Sequence, residues 1–180
     1  GQKAGFRKAT YSDIAVLYKT GTIMKKLESV LLKRHIPFQV EGSKSLMESS
    51  VASDFYSILQ LLLFPEDKTA LASVLRSPFA LYEDAKIKNV LDNGFEENNE
   101  FNYFLLSLKE RAFRYSLGEL LTYIWTSSDY GSYCEKCGNG SYEYFSQLFS
   151  LAVQYDDLGK DLTAFVSFLR EFIGPQDSLD

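Results

Sequence analysis

The sequence predicts a mostly α-helical protein with a small α/β start. Three observations carry that reading. A strand–helix–strand pattern fills about 28 residues from Asp13 to Val40. From Val51 onward apolar residues recur at spacings of three and four, the period of an amphipathic helix. Beyond Pro78 no further segment has the composition or alternation of a strand.

Asp13-Ile14-Ala15-Val16-Leu17-Tyr18 is short and almost continuously apolar, as a strand buried in a parallel sheet is. Lys19-Thr20-Gly21-Thr22 breaks it, and Met24, Leu27, Val30 and Leu31 line one face of a helix running to about Arg34. Pro37 follows that helix, and Ile36 to Val40 reads as a second strand, completing a βαβ unit with a right-handed crossover. Glu41 to Ser45 is a loop. Phe55, Ile58, Leu59, Leu62 and Leu63 then predict a helix from Val51 to Phe64, apolar on more than one face and so buried between layers. Pro65 stops it.

Asp67 is placed to N-cap the next helix, through Leu71, Val74 and Leu75. Ser77-Pro78 ends that helix, because the residue before a proline avoids the helical region. Helices are predicted over 83–92, 100–114, 117–127, 141–157 and 161–173, with a turn at Asp92-Asn93-Gly94 and Asp161 capping the last. The boundary between the α/β start and the helical remainder falls near Arg76–Phe79.

Composition narrows the function. The chain has 180 residues, 46% hydrophobic and 15% aromatic, enough for an ordinary core and too apolar for a disordered chain. No apolar run reaches the roughly 20 residues of a membrane helix, so no membrane partner is expected. A net charge of -5 does not support a stand-alone nucleic-acid binder. The polar start, Gly1-Gln2-Lys3-Ala4-Gly5, is expected to hold no targeting segment, and its lack of an initiator Met to mark a fragment. Two cysteines are few for a disulfide-built domain, and a cytoplasmic location is expected.

Most catalytic constellations are missing. His35 is the one histidine, at a basic helix end where a positive side chain complements the helix dipole. Cys134-x-x-Cys137 is one pair, short of the four ligands of a structural zinc site, and is expected at a helix end and loop. Asp156-Asp157 and Glu96-Glu97 read as solvated loops rather than metal ligands. Gly138-Asn139-Gly140-Ser141 is a turn; the string G-x-x-x-x-G-K-S/T of a phosphate loop does not occur. Lys109, Arg111 and Arg114, like the bases near the start and on the first helix, read as a solvated face. The feature with most chemistry is the end of the first strand, Tyr18-Lys19-Thr20. Ligands of parallel sheets bind outside the carboxyl ends of strands, where an aromatic ring and a cation can meet a base and a phosphate.

That string carries a resemblance. Asp13-Ile14-Ala15-Val16-Leu17-Tyr18-Lys19-Thr20, a helix with Leu27-Glu28 and Leu31-Leu32, and Ile36-Pro37-Phe38 resemble motif IV and its surroundings in superfamily 1 DNA helicases of the UvrD/Rep type. The likeness continues through Asp54-Phe55, Leu59 and Leu62-Leu63 to Leu75-Arg76-Ser77-Pro78-Phe79, which looks especially like the RecB and AddA (RexA) helicase–nuclease branch. Asp161-Leu162, Phe165 and Leu169 resemble the helix that precedes motif V there; the chain stops just short of that motif.

The resemblance implies a part for each half. Residues 1–76 would be part of a RecA-like domain, 2A, containing motif IV, and residues 77–180 a helical insertion like 2B. The parent would be an ATP-dependent DNA helicase or helicase–nuclease of repair and recombination, with ATP and Mg2+ as cofactors. Its partners would be single-stranded and duplex DNA and a helicase–nuclease partner subunit. Tyr18 would stack on adenine, and Lys19 would reach the γ-phosphate as the catalytic cation. Lys19 departs from the family's arginine, keeping the charge and losing the planar fork. The fragment itself, without a phosphate loop, is expected to bind no cofactor and to be inactive alone. Phe79 to Asp84 stands where the family has a glycine-containing duplex-binding hairpin, but has no glycine and two acids. Two other readings stay open: a non-enzymatic helical module that binds partner subunits, and a degenerate helicase without ATPase function.

Overall fold

The structure, a computed structural model, describes residues 7–16, 49–137 and 141–173 together with Leu27, Val30, Leu31, Arg34, Ile36 and Leu46. Contacts divide the chain into two units, Gly1–Ser43 and Lys44–Asp180.

Within the first unit, Tyr11–Asp13 form a single 3-10 turn, after which Ile14 is extended. The expected buried strand is not seen here. Ile14 and Val16 are 65% and 56% exposed, and no described residue pairs with them in a ladder. A parallel strand is buried only when neighbouring strands and crossover helices cover it, and most of the predicted helix and second strand lies outside the described residues. Where that helix is expected, the backbone is helical at Leu27, Val30 and Leu31, and Arg34 donates its N–H to the Val30 carbonyl at 3.1 Å. Among the described residues the protein is mostly helical and contains no strand.

The second unit holds eight α-helices among its described residues: α1 (Ser50–Leu63), α2 (Lys68–Arg76), α3 (Asp84–Asn93), α4 (Glu100–Ala112), α5 (Leu117–Ser127), α6 (Tyr130–Cys137), α7 (Ser141–Asp157) and α8 (Leu162–Ile173). Their ends follow cap chemistry. Ser49 accepts from the Ala52 N–H at 3.1 Å, Asp67 from Ala70 at 2.9 Å and Asp161 from Ala164 at 2.9 Å. Ser116 and Glu119 form a reciprocal capping box at the start of α5. Gly94 closes α3 at φ 82°, a conformation that costs a side-chain-bearing residue and not glycine.

Helix α1 is the central element. It packs against α2, α4, α7 and α8, which is why its apolar positions run around more than one face. Phe55 sits inside a ring cluster, with centroids 5.4 Å from Phe79, 5.5 Å from Tyr130 and 5.4 Å from Phe145. Trp125 stacks on Phe145 at 4.0 Å. These rings come from α1, the turn after α2, α5, α6 and α7, so one cluster joins five segments of the chain. Helices α1 and α2 therefore share a compact unit with the helices beyond Pro78.

Helix α6 departs from the expectation of a helix end and loop around the C-x-x-C. Gly131, Ser132 and two cysteines are weak helix formers. Tertiary burial overrides that weakness: Tyr130 and Cys134, four residues apart and hence on one face, are both buried. Gly131 permits the helix to lie on Trp125, since a Cβ there would meet the indole Nε1 at 3.0 Å.

Candidate functional site

The two residues singled out by sequence, Tyr18 and Lys19, lie outside the described residues, as does His35. The segment leading to them is described. Arg7 grips the Asp13 carboxylate with both guanidinium Nη atoms, one bond being 2.6 Å. The Thr10 N–H donates to the same carboxylate at 2.8 Å and its hydroxyl at 3.0 Å. Arg7, with help from Thr10, holds Asp13 at a pKa of about 2, so it is ionised at any physiological pH. Asp13 thus organises the turn that leads into the extended Ile14, and is not free to act as an acid or base.

In the second unit, the turn after α2 is held by backbone and side-chain contacts of its own. Phe79 is buried in the ring cluster, while Leu81 is exposed at φ 53°. The Tyr82 N–H reaches back to the Leu75 carbonyl at 2.8 Å, and the Lys86 ammonium lies 3.7 Å from the Tyr82 ring centre. Arg76 pairs with Asp84 at 2.7 Å, neutralising one of the two acids in this stretch.

The junction between α4 and α5 gathers bases and rings. Arg111 lies over the Tyr123 ring at 4.4 Å and donates to the Ser107 carbonyl at 2.8 Å. The Ser107 hydroxyl meets the Tyr123 hydroxyl at 3.3 Å, and Tyr115 packs edge-on to Tyr123 at 6.2 Å. The Ser107 contact and the nearby Arg111 charge lower the Tyr123 pKa below the ordinary phenol value. Phe113, Arg114 and Tyr115 form the connection and are exposed. The bases here are evident from the sequence; the packing of Tyr123 and Tyr115 beside Arg111 is not.

A partly buried polar pair ties α6 to α1: the Tyr130 hydroxyl donates to the Asp54 carboxylate at 2.8 Å. Burial outweighs that hydrogen bond and pushes Asp54 up to about 6. Burial, then the Asp54 charge, push the Tyr130 phenol well above its usual range. Asp156, read from sequence as a solvated loop residue, instead accepts from the Leu117 and Gly118 N–H groups at 2.7 and 2.9 Å. It caps α5 from the last turn of α7. A Cβ on Gly118 would meet Val153 at 3.1 Å, so glycine permits this approach. Among the described residues no cluster of three metal-ligating side chains occurs, and no helix is long and apolar enough to cross a membrane.

A helical unit built on this central helix, preceded by the Asp13 segment, matches a known class. The family model of the UvrD-like helicase C-terminal domain matches residues 3–112. The chain belongs to that family. Among curated proteins, it is similar to the ATP-dependent DNA helicase UvrD1 of Mycobacterium bovis, 35% identical over 69 residues, which cover 38% of this chain and 9% of that protein. It is similar to the ATP-dependent DNA helicase SRS2 of Saccharomyces cerevisiae, 31% identical over 86 residues, 46% of this chain and 7% of that protein. An ATP-dependent helicase/nuclease protein of Pediococcus pentosaceus is 29% identical over 104 residues, 58% of this chain and 8% of that protein. The matched segments thus span less than a tenth of each of these relatives.

Proposed function

We propose that this chain is a piece of the motor of an ATP-dependent DNA helicase, or of a helicase–nuclease, acting in DNA repair and recombination. In that reading residues 1–76 are part of a RecA-like 2A domain with motif IV, and residues 77–180 are its 2B-like helical insertion. ATP and Mg2+ bind the longer protein. DNA is the substrate, a second helicase–nuclease chain the partner and the cytoplasm the location. The observation that carries the reading is the family match over residues 3–112, which includes the motif IV string.

Tyr18 and Lys19 are the proposed nucleotide contacts. A tyrosine ring next to an ammonium suits a purine and a phosphate, the chemistry of a nucleotide's two ends. ATP supplies the phosphoryl group; Tyr18 orients the base, and Lys19 places a positive charge where negative charge develops. An arginine finger is worth about 10³–10⁵ in turnover and a lysine point charge less. In the longer protein, Lys19→Ala is therefore expected to lower DNA-stimulated ATPase about 10- to 10³-fold, with Lys19→Arg retaining activity. Tyr18→Ala is expected to act mainly by raising KM for ATP. Unchanged turnover in Lys19→Ala would remove Lys19 from the site.

A further inference from the structure

The α4–α5 junction has two features that a solvated helix end does not explain. Its sequence, Lys109-Glu110-Arg111-Ala112-Phe113-Arg114-Tyr115, carries three cations and one anion within a chain whose net charge is -5. Lys109 and Arg111 lie in the last turn of α4, where cations complement the helix dipole. That account does not reach Arg114, which lies beyond the helix. It does not reach Phe113 either, which is 76% exposed, with Tyr115, two residues on, 40% exposed. No ion pair engages Lys109, Arg111 or Arg114 among the described residues, and the Arg111 Nε has no hydrogen-bond partner there.

The junction is also held in place. The Arg111 carbonyl accepts from both the Arg114 and the Tyr115 N–H at 2.9 Å, and Ser116 begins α5 with its capping box. Arg111 is anchored over Tyr123, so the rings and cations stand on a short turn fixed at both ends. Glu119, the nearest acid on α5, is engaged by the Ser116 N–H at 2.9 Å. The backbone that carries the contact residues is thus ordered before anything binds, which lowers the cost of binding.

We propose that this junction is a contact site for single-stranded nucleic acid, with a base stacked on Phe113 and phosphates met by Lys109 and Arg114. Interleaved rings and cations favour a strand over an acidic protein segment: an acidic peptide would satisfy the charges and leave an exposed phenylalanine without a stacking partner. The site deepens the helicase reading by giving the helical unit a substrate contact of its own. The two can fail separately, because ATPase of the longer protein tests the first and strand binding by this chain tests the second.

The experiment is fluorescence anisotropy of the 180-residue chain with labelled oligothymidylate, titrated at several salt concentrations. Phe113→Ala is expected to weaken binding about tenfold or more, the loss of one stacked base. Lys109→Ala and Arg114→Ala are each expected to lower the salt slope by about 0.7, one phosphate contact on a single strand. Tyr142→Ala, another exposed ring on α7, is the control and is expected to change nothing. Circular dichroism checks that each variant is folded. The proposal is overturned if the chain does not bind the oligonucleotide at low salt, or if Phe113→Ala binds as the unsubstituted chain does. It is also overturned if polyglutamate displaces the strand at equal charge concentration, which would make the site a charge patch for acidic segments.

Discussion

Phe55 and Ile14 are both apolar residues in segments that sequence patterning assigns to buried elements, and the structure treats them oppositely. Phe55 is wholly buried among rings from four other segments; Ile14 is largely exposed. The difference lies in where each element finds its hydrogen bonds. A helix satisfies its backbone internally and needs only neighbours for its apolar faces. A parallel strand needs partner strands for its backbone and covering helices for its side chains. Helix α1 has its neighbours within Lys44–Asp180. The Ile14–Val16 segment has no ladder among the described residues.

The sharpest way to break this contrast is to empty the centre of the helical unit. Phe55→Ala removes a ring that touches Phe79, Tyr130 and Phe145. Truncating a buried phenylalanine typically costs about 3–5 kcal/mol. For a protein of this size that lowers Tm by roughly 6–20 °C. Thermal unfolding followed by circular dichroism measures it, and a shift of only a degree or two would mean that the cluster does not organise the unit.

A smaller effect, of opposite sign, sharpens the polar side of the same cluster. Asp54, held at about 6 by burial, has an ordinary carboxyl value of 3.8 in the unfolded chain. Below pH 4 both states carry the proton and burial of the neutral acid costs little. As pH rises from 4 to 6 the unfolded chain ionises first, so stability falls; above 6 the loss is complete and constant. Asp54→Asn keeps an acceptor for the Tyr130 hydroxyl and never ionises. It is expected to be more stable than the unsubstituted chain at pH 7, by about 1–3 kcal/mol, and no more stable at pH 4. Urea melts at the two pH values test this, and an equal difference at both would refute the assignment.

The helical unit was legible because its signals are local. Asp67, Asp161 and Ser77-Pro78 mark ends that the structure confirms, and α5 and α7 occupy their predicted spans. Helix α6 was illegible because tertiary burial of Tyr130 and Cys134 forms it against weak propensity. Asp156 reads as a loop residue because its role is to cap a helix 38 residues away in sequence, a contact no local pattern records. The bases at the α4–α5 junction were visible, but the exposure of Phe113 was not: a phenylalanine at a helix end is ordinarily core. The proposed nucleotide contacts, Tyr18 and Lys19, rest on the motif string alone, since a parallel strand end acquires meaning only from the sheet around it.

The last and smallest effect tests the exposed side of the comparison. Ile14→Ser is expected to leave the stability of the 180-residue chain within about 0.5 kcal/mol, because substitutions at exposed positions rarely do more. The direction is set by burial: Ile14 is 65% exposed, so little apolar surface returns to water on substitution. In the longer protein proposed above the same change should be costly, since a completed RecA-like sheet would bury Ile14 and a serine hydroxyl there would lack a partner. Thermal melts of both proteins make the comparison. An equal, small effect in the two would show that this segment never becomes a buried strand, and the 2A assignment of residues 1–76 would fall with it. A large loss already in the 180-residue chain would instead show that Ile14 is covered in solution.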